Sequence, residues 1–191
     1  MSKYLFFDTE TTGLPRDYKA PSSDTRNWPR MVQLAWILTD ENGTRLNERN
    51  RIVKPEGFTI PAEAAGLHGI TTERAMEEGQ PLTEVISQFL TDLGEAGFIV
   101  GHNIAFDKKI VGAELVRLGR EDVMPGKRSL CTMMASIDYC KLPGPYGFKY
   151  PKLEELHRIL FGRGFEDTHN ALNDICATEK CFWELRKRQL I

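Results

Sequence analysis

YLFFDTETTGLP, residues 4–15, sets two carboxylates directly behind a near-continuous apolar run. Tyr4 to Phe7 have the pattern of a strand covered on both faces, and Lys3 to Asp8 is the strand expected there. Side chains alternate along a strand, so Asp8 and Glu10 point to the same side. Two carboxylates at the tip of a central strand repel each other and lose hydration, a cost that calls for a compensating cation. The pair therefore suits a divalent metal.

A metal site needs further acids, and two later segments supply them. In HNIAFDKKIVGAELVRL, Asp107 is in register with Ile110, Val111, Leu115 and Leu118, the inward stripe of an amphipathic helix. In the last long helix Asp174 is in register with Ala171, Ala177, Thr178, Cys181, Phe182 and Leu185. Each acid taken singly reads equally well as a cap, an exposed residue or half of a structural ion pair. Four inward acids from three segments read better as one site.

FDTETTGLP, HNIAFD and HNALND resemble the three motifs of the DEDDh 3′–5′ exonucleases, the group that includes the proofreading epsilon subunit of DNA polymerase III and ribonuclease T. His169, Ala171 and Asp174 match the H-x-A-x-x-D pattern of the third motif, and LHGIT, Leu67 to Thr71, resembles an ancillary family segment. The likeness runs from about Tyr4 to Phe182. It implies an α/β, ribonuclease H-like fold, a mixed five-stranded sheet flanked by helices. It also implies hydrolysis of phosphodiester bonds from a free 3′ end, releasing nucleoside 5′-monophosphates.

Carboxylate oxygens are hard ligands, so the implied cofactors are two Mg²⁺ or Mn²⁺ ions. Two such ions, roughly 3.5–4 Å apart in enzymes of this type, bind the attacking water and the departing oxygen. By resemblance Asp8 bridges them, Glu10 and Asp174 complete the ion that holds the water, and Asp107 supports the other. His169 is the candidate general base, because imidazole takes a proton near neutral pH. Residues five apart on a regular helix sit about 140° from each other. His169 and Asp174 therefore cannot both face the metals from one helix. His169 belongs to the lead-in, with Thr168 or Asn170 capping the helix start. Resemblance further implies that Thr11, Thr12, Gly13 and Leu14 approach the terminal nucleotide. On the same basis His68 and Phe106 line its pocket, and Asn103 positions the second-motif loop. His102 and His157 receive no role.

The whole chain, residues 1–191, reads as one exonuclease domain without a signal peptide or membrane span, and as cytoplasmic. A net charge of −2 provides no global field for a polyanion, which favours capture of one strand end over tight binding along a duplex. Nucleic acid with a free single-stranded 3′ end is the expected partner, DNA before RNA; association with a DNA polymerase and the oligomeric state stay open. Lys108, Lys109, Lys149 and Lys152 read equally as phosphate contacts and as solvated lysines. Arg186 to Arg188 read as a complement to the last helix's dipole. The four cysteines, Cys131, Cys140, Cys176 and Cys181, lack C-x-x-C spacing and read as buried free thiols.

Further strands are expected at Met31 to Thr39, Arg45 to Lys54, Phe98 to Val100 and Ser129 to Thr132, with a Glu41-Asn42-Gly43 turn between the second and third. Helices are expected at Ala62 to Gly66, Thr72 to Glu77 and Leu82 to Leu93, besides the two that carry Asp107 and Asp174. Two loops interrupt this layout. Pro15 to Pro29 is polar and rich in turn formers, and LPGPYGFKYP, Leu142 to Pro151, carries Tyr146, Phe148 and Tyr150. Those aromatics are expected to pin the loop onto the core, with stacking on unpaired bases as the second reading. Two alternatives accompany the exonuclease reading: an RNA-trimming exoribonuclease, and a non-catalytic module that binds nucleic acid or a polymerase.

Overall fold

A computed structural model describes residues 2–165 and 170–191. Strands β1 (Tyr4–Thr11), β2 (Met31–Thr39) and β3 (Arg45–Ile52) form a meander, followed by helices α1 (Ala62–His68), α2 (Thr72–Glu78) and α3 (Leu82–Glu95). Next come β4 (Phe98–Gly101), α4 (Ile104–Arg117), β5 (Ser129–Cys131) and two single turns, α5 (Thr132–Ala135) and α6 (Ile137–Cys140). A small hairpin of β6 (Pro143–Gly144) and β7 (Gly147–Phe148) precedes α7 (Leu153–Phe161) and α8 (Ala171–Lys187). The five-stranded sheet has the order β3-β2-β1-β4-β5. β2 is antiparallel to both its neighbours, and β4 and β5 continue parallel to β1, which gives the expected mixed sheet.

Alternation along β1 sorts its side chains between two cores. Leu5 and Phe7 join Trp36, Phe89, Ile110 and Val111 beneath α3 and α4. Tyr4 and Phe6 join Ile37, Ala171, Ile175 and Phe182 beneath α8. The central strand is thus sealed on both faces, which is why its sequence is apolar at consecutive positions. Asp40 closes the β2–β3 turn by accepting the Asn42 and Thr44 N–H groups at 2.9 and 2.8 Å. Gly43 adopts a φ of 85°, and a Cβ there would come within 3.2 Å of the Trp183 ring.

Several boundaries differ from expectation. β1 runs on to Thr11 instead of stopping at Asp8, because β2 continues to pair with it past the acids, with a bulge between Glu10 and Thr11. Helix α1 extends through His68, and β3 stops at Ile52, with Val53 forming an isolated bridge to Gln80. Helix α7 has no counterpart in the sequence reading, although Leu153, Leu156 and Leu160 carry its apolar stripe. The Leu142–Pro151 segment contradicts its favoured reading. Tyr146, Phe148 and Tyr150 are 102%, 52% and 58% exposed, so they do not pin the loop to the core. The hairpin's own backbone bonds and an ion pair between Lys149 and Glu155, at 2.5 Å, fix it without them.

The Pro15–Pro29 loop is a packed unit. Trp28 is buried and donates its indole N–H to Pro21 O at 3.0 Å, and Asn27 exchanges hydrogen bonds with Asp17 at 2.7 and 2.9 Å. The loop's exit is tied to α4 through Glu114, whose Oε1 accepts from Arg30 Nε (3.0 Å), Arg117 Nη1 (2.9 Å) and Met31 N–H (2.9 Å). Arg186 lies over the rings of Tyr4, Phe182 and Trp183, so it does more than complement a dipole. All four cysteines are free, but only Cys181 is fully buried, and burial pushes its thiol up to about 12. Among the described residues no helix is long and apolar enough to cross a membrane.

Candidate active site

β4 pairs with β1 only as far as Phe6, so the later half of β1 has an open flank on that side. The first turn of α4 occupies it. Asp107, buried there, accepts the Thr9 N–H at 3.1 Å and the Thr9 hydroxyl at 2.7 Å through the same Oδ1. Thr9 is the odd-numbered neighbour of the two acids and therefore points to the α4 face. Asp8 and Glu10 share the parity of Tyr4 and Phe6 and point to the α8 face.

On that face α8 presents the third acid. Its start is fixed by Asn170, whose side chain accepts the Leu172 N–H at 3.1 Å, the cap expected from the sequence. Ala171 is buried and donates its N–H to Gln33 Oε1 at 3.3 Å, docking the helix end against β2. Asp174 in the first turn then lies beside the strand, and one carboxylate oxygen each of Asp8, Glu10 and Asp174 lie within 4.8 Å of one another. Asp107 approaches from the opposite side of β1, near enough to influence their charge but outside that cluster.

The electrostatics follow from burial and like charge. Burial first, then Asp107, Asp174 and Glu10, hold the Asp8 carboxyl well above the usual range. Burial and the neighbouring Asp174 and Asp107 push Glu10 up to about 8. Burial raises Asp107 to about 7 although both Thr9 hydrogen bonds pull it down. Such a cluster resists full ionisation unless a cation is supplied. Its hard oxygen donors, half-buried and converging, fit Mg²⁺ or Mn²⁺ better than a soft metal.

Beside the acids lies a cleft of about 350 Å³, lined by Asp8, Asp174, His102, Lys152, Leu153, Glu154 and Phe165. The sequence reading gave His102 no role. Its Nε2 lies 2.9 Å from Pro151 O, a pure acceptor, so that nitrogen carries the proton and Nδ1 accepts from the Thr132 hydroxyl at 3.0 Å. Burial lowers its pKa to about 4, so the ring is neutral and joins the end of β4 to the start of α7. Thr9 was missed as well. Its signal in the sequence is its position between Asp8 and Glu10, which strand alternation turns to the opposite face.

Of the residues implied for the terminal nucleotide, Thr11 to Leu14 close and follow β1, and His68 lies beside the Thr11 backbone. Thr11 donates its hydroxyl to Gly13 O at 2.6 Å, and Thr12 exchanges hydrogen bonds with the Arg30 backbone at 2.9 and 3.0 Å. Gly13 has a φ of 148°, and Leu14 stands 75% exposed beyond it. His68 is buried there, and its Nδ1 accepts the Ile70 N–H at 3.2 Å. Phe106 packs toward Tyr18 and Trp28 of the Pro15–Pro29 loop, with ring centroids 6.5 and 6.4 Å away. Asn103 caps α4 in the left-handed conformation, φ 70°. Of the candidate phosphate contacts, Lys149 is taken by Glu155 and Lys108 reaches Lys127 O at 3.4 Å, whereas Lys152 lines the cleft. His169 lies outside the described residues.

An exonuclease family model, RNase T, matches residues 5–182. An uncharacterised exonuclease of Escherichia phage 186, CP81, is 32% identical over 155 residues, 78% of this chain and 70% of its own. The 3′-5′ exonuclease DinG of Bacillus subtilis is 26% identical over 186 residues, 97% of this chain but 18% of DinG. Escherichia coli exonuclease I, solved with single-stranded DNA, matches with a TM-score of 0.78 at 20% identity, over 99% of this chain and 41% of its own. That likeness fixes the fold as ribonuclease H-like. The chain belongs to the RNase T exonuclease family, of the DEDDh type.

Proposed function

We propose that this chain is a metal-dependent 3′–5′ exonuclease that acts on single-stranded nucleic acid, DNA before RNA, and releases nucleoside 5′-monophosphates. The observation that carries the proposal is the convergence of Asp8, Glu10 and Asp174 beside an open cleft, where burial and like charge hold the protons of Asp8 and Glu10 unusually tightly. A group that needs a cation to ionise gains little as a purely structural device. The preference for single-stranded DNA is supported by the single-stranded DNA bound to exonuclease I.

In this reading Asp8, Glu10 and Asp174 would hold two divalent ions, and Asp107, oriented by Thr9, would support them from the α4 side. When bound, such ions lower the pKa of water and neutralise charge on the phosphate. His169, which the sequence sets just before the Asn170 cap, takes the proton of the attacking water. The water oxygen bonds to phosphorus, the bond to the penultimate O3′ breaks, and that oxygen takes up a proton from solvent to become the 3′-hydroxyl of the shortened strand, while His169 returns its proton to solvent. Thr11, Thr12 and Gly13 present backbone groups to the terminal nucleotide, while Leu14, His68 and Phe106 border its base and sugar, and Asn103 fixes the approach of α4.

The test is a time course on matched 5′-labelled single-stranded DNA and RNA with Mg²⁺, Mn²⁺ or EDTA, alongside Asp8→Ala. Stepwise shortening that requires both metal and Asp8 is expected, faster on DNA. Metal-dependent shortening by Asp8→Ala sinks the assignment, and a faster RNA ladder would make the chain an exoribonuclease.

A further inference from the structure

The β6–β7 hairpin leaves three aromatic side chains in water at every second position, Tyr146, Phe148 and Tyr150, with Tyr146 fully exposed at the tip. Exposing three large rings on ten residues has a solvation cost, yet the hairpin's base is tightly built. Lys149 donates its N–H to Leu142 O at 2.9 Å and pairs through Nζ with Glu155, while His102 holds Pro151 O at 2.9 Å. A Cβ on Gly144 would come within 3.1 Å of Lys149, tighter than an ordinary contact, so the hairpin is closely packed there. A frame held this firmly presents the rings; it does not merely tolerate them.

Location and charge identify what the rings meet. Pro151 and Lys152 directly follow Tyr150, and Lys152 lines the same cleft as Asp8 and Asp174. Lys149 is paired with Glu155, and Glu154 lines the cleft, but Lys141 and Lys152 flank the hairpin and stand in no ion pair among the described residues, in a chain whose net charge is −2. A second copy of the chain would bring like charges together across a symmetric contact. A polyanion with flat, unpaired faces fits both the lysines and the rings.

We infer that the Leu142–Pro151 hairpin is a stacking platform for unpaired bases of the strand whose 3′ end lies in the cleft, so that Tyr146 and Phe148 set affinity for strands long enough to reach them. This rests on the exonuclease reading of the cleft. Stacking needs a π-face and no particular sequence, so single strands of DNA and RNA are both accommodated and duplexes are not.

The test measures binding by fluorescence anisotropy in EDTA, so that no cleavage interferes. Probes are oligothymidylates of about 3 and about 12 nucleotides, an oligouridylate of the longer length and a duplex, with wild type and Tyr146→Ala/Phe148→Ala. Both rings are exposed, so circular dichroism and melting should coincide for the two proteins. Wild type is expected to bind the long single strands more tightly than the short one, and the double variant to lose about tenfold or more of that gain. Tyr146→Phe, which retains a ring, should keep it. An equal gain in wild type and double variant, no gain in wild type, or a gain only on duplex would each overturn the platform. A cleavage time course on the same preparations separates the two readings. Strand shortening without a length-dependent loss sinks the platform alone, and length-dependent binding without any shortening sinks the nuclease alone.

Discussion

Glu10→Gln should stabilise the metal-free protein above neutral pH while abolishing metal-dependent stabilisation. Burial and the neighbouring Asp174 and Asp107 raise the Glu10 carboxyl from 4.5 to about 8. A carboxylate whose folded pKa is raised binds its proton more tightly in the folded state. Its contribution is fully present below the unfolded value and is lost as pH rises through the folded value, here between about 4.5 and about 8. At about 1.36 kcal/mol per pKa unit the ceiling is roughly 5 kcal/mol, and water reaching this half-buried group reduces it to about 2 kcal/mol. For a domain of this size that is a rise of about 4–8 °C in melting temperature. The assay is thermal melting of wild type and variant in EDTA at about pH 5.5 and about pH 8.5, then with Mn²⁺. The difference between the two proteins is read at each pH, which cancels titrations elsewhere. The variant should lead at the higher pH and lose the lead at the lower, and Mn²⁺ should raise the wild type more than the variant. A variant less stable than wild type in EDTA at the higher pH would show that the cluster contributes net stability, and the electrostatic reasoning would fail.

Thr9→Val removes the hydroxyl donor from Asp107 while keeping the strand. The Mn²⁺ concentration for half-maximal cleavage should rise about tenfold, with Thr9→Ser close to wild type; an unchanged metal requirement would leave Asp107 without a part in the site. His169→Ala should lower the cleavage rate by about 10²–10⁴-fold while calorimetry still detects Mn²⁺ binding, and equal rates would remove the proposed base. Glu114→Ala removes the buried carboxylate from Arg30 and Arg117 and leaves Arg117 with only the backbone carbonyls of Thr25, Trp28 and Pro29. It should cost about 3–5 kcal/mol, a melting temperature lower by roughly 10 °C, and a change under about 2 °C would mean the loop is anchored elsewhere.

The apolar run of Tyr4–Phe7 was legible because a strand covered on both faces has no polar position to spare. The alternation rule then placed Asp8 and Glu10 together on one face. Asp174 was legible for the same kind of reason, since its register with Ala171 and Phe182 ties it to the face that Tyr4 and Phe6 share. Asp107 was read correctly as inward, beside Ile110 and Val111, but periodicity supplies a direction and not a layer. Helix α4 covers the opposite face of the sheet, so Asp107 meets Thr9 and stands outside the oxygens of the other three acids. The aromatics of the hairpin were misread because composition says nothing about whether core lies beneath a loop.

The hardest case is a pair of acids on one helix. Asp107 and Glu114 are seven residues apart, so they lie on nearly the same face of α4, and both are buried. Periodicity cannot tell which of them serves a site. Partners can. Glu114 is met by two guanidinium groups and a backbone N–H, which balance its charge and commit it to holding the Pro15–Pro29 loop. Asp107 has the Thr9 donors and three acidic neighbours, and among the described residues no lysine or arginine is paired with it. One end of the helix therefore carries a balanced charge and the other a deficit of positive charge. A deficit shared by Asp8, Glu10 and Asp107 beside an open cleft is what a divalent cation would correct. The unbalanced acid is the one to assign to chemistry, and Glu114, though the more deeply buried, is the one to assign to the fold.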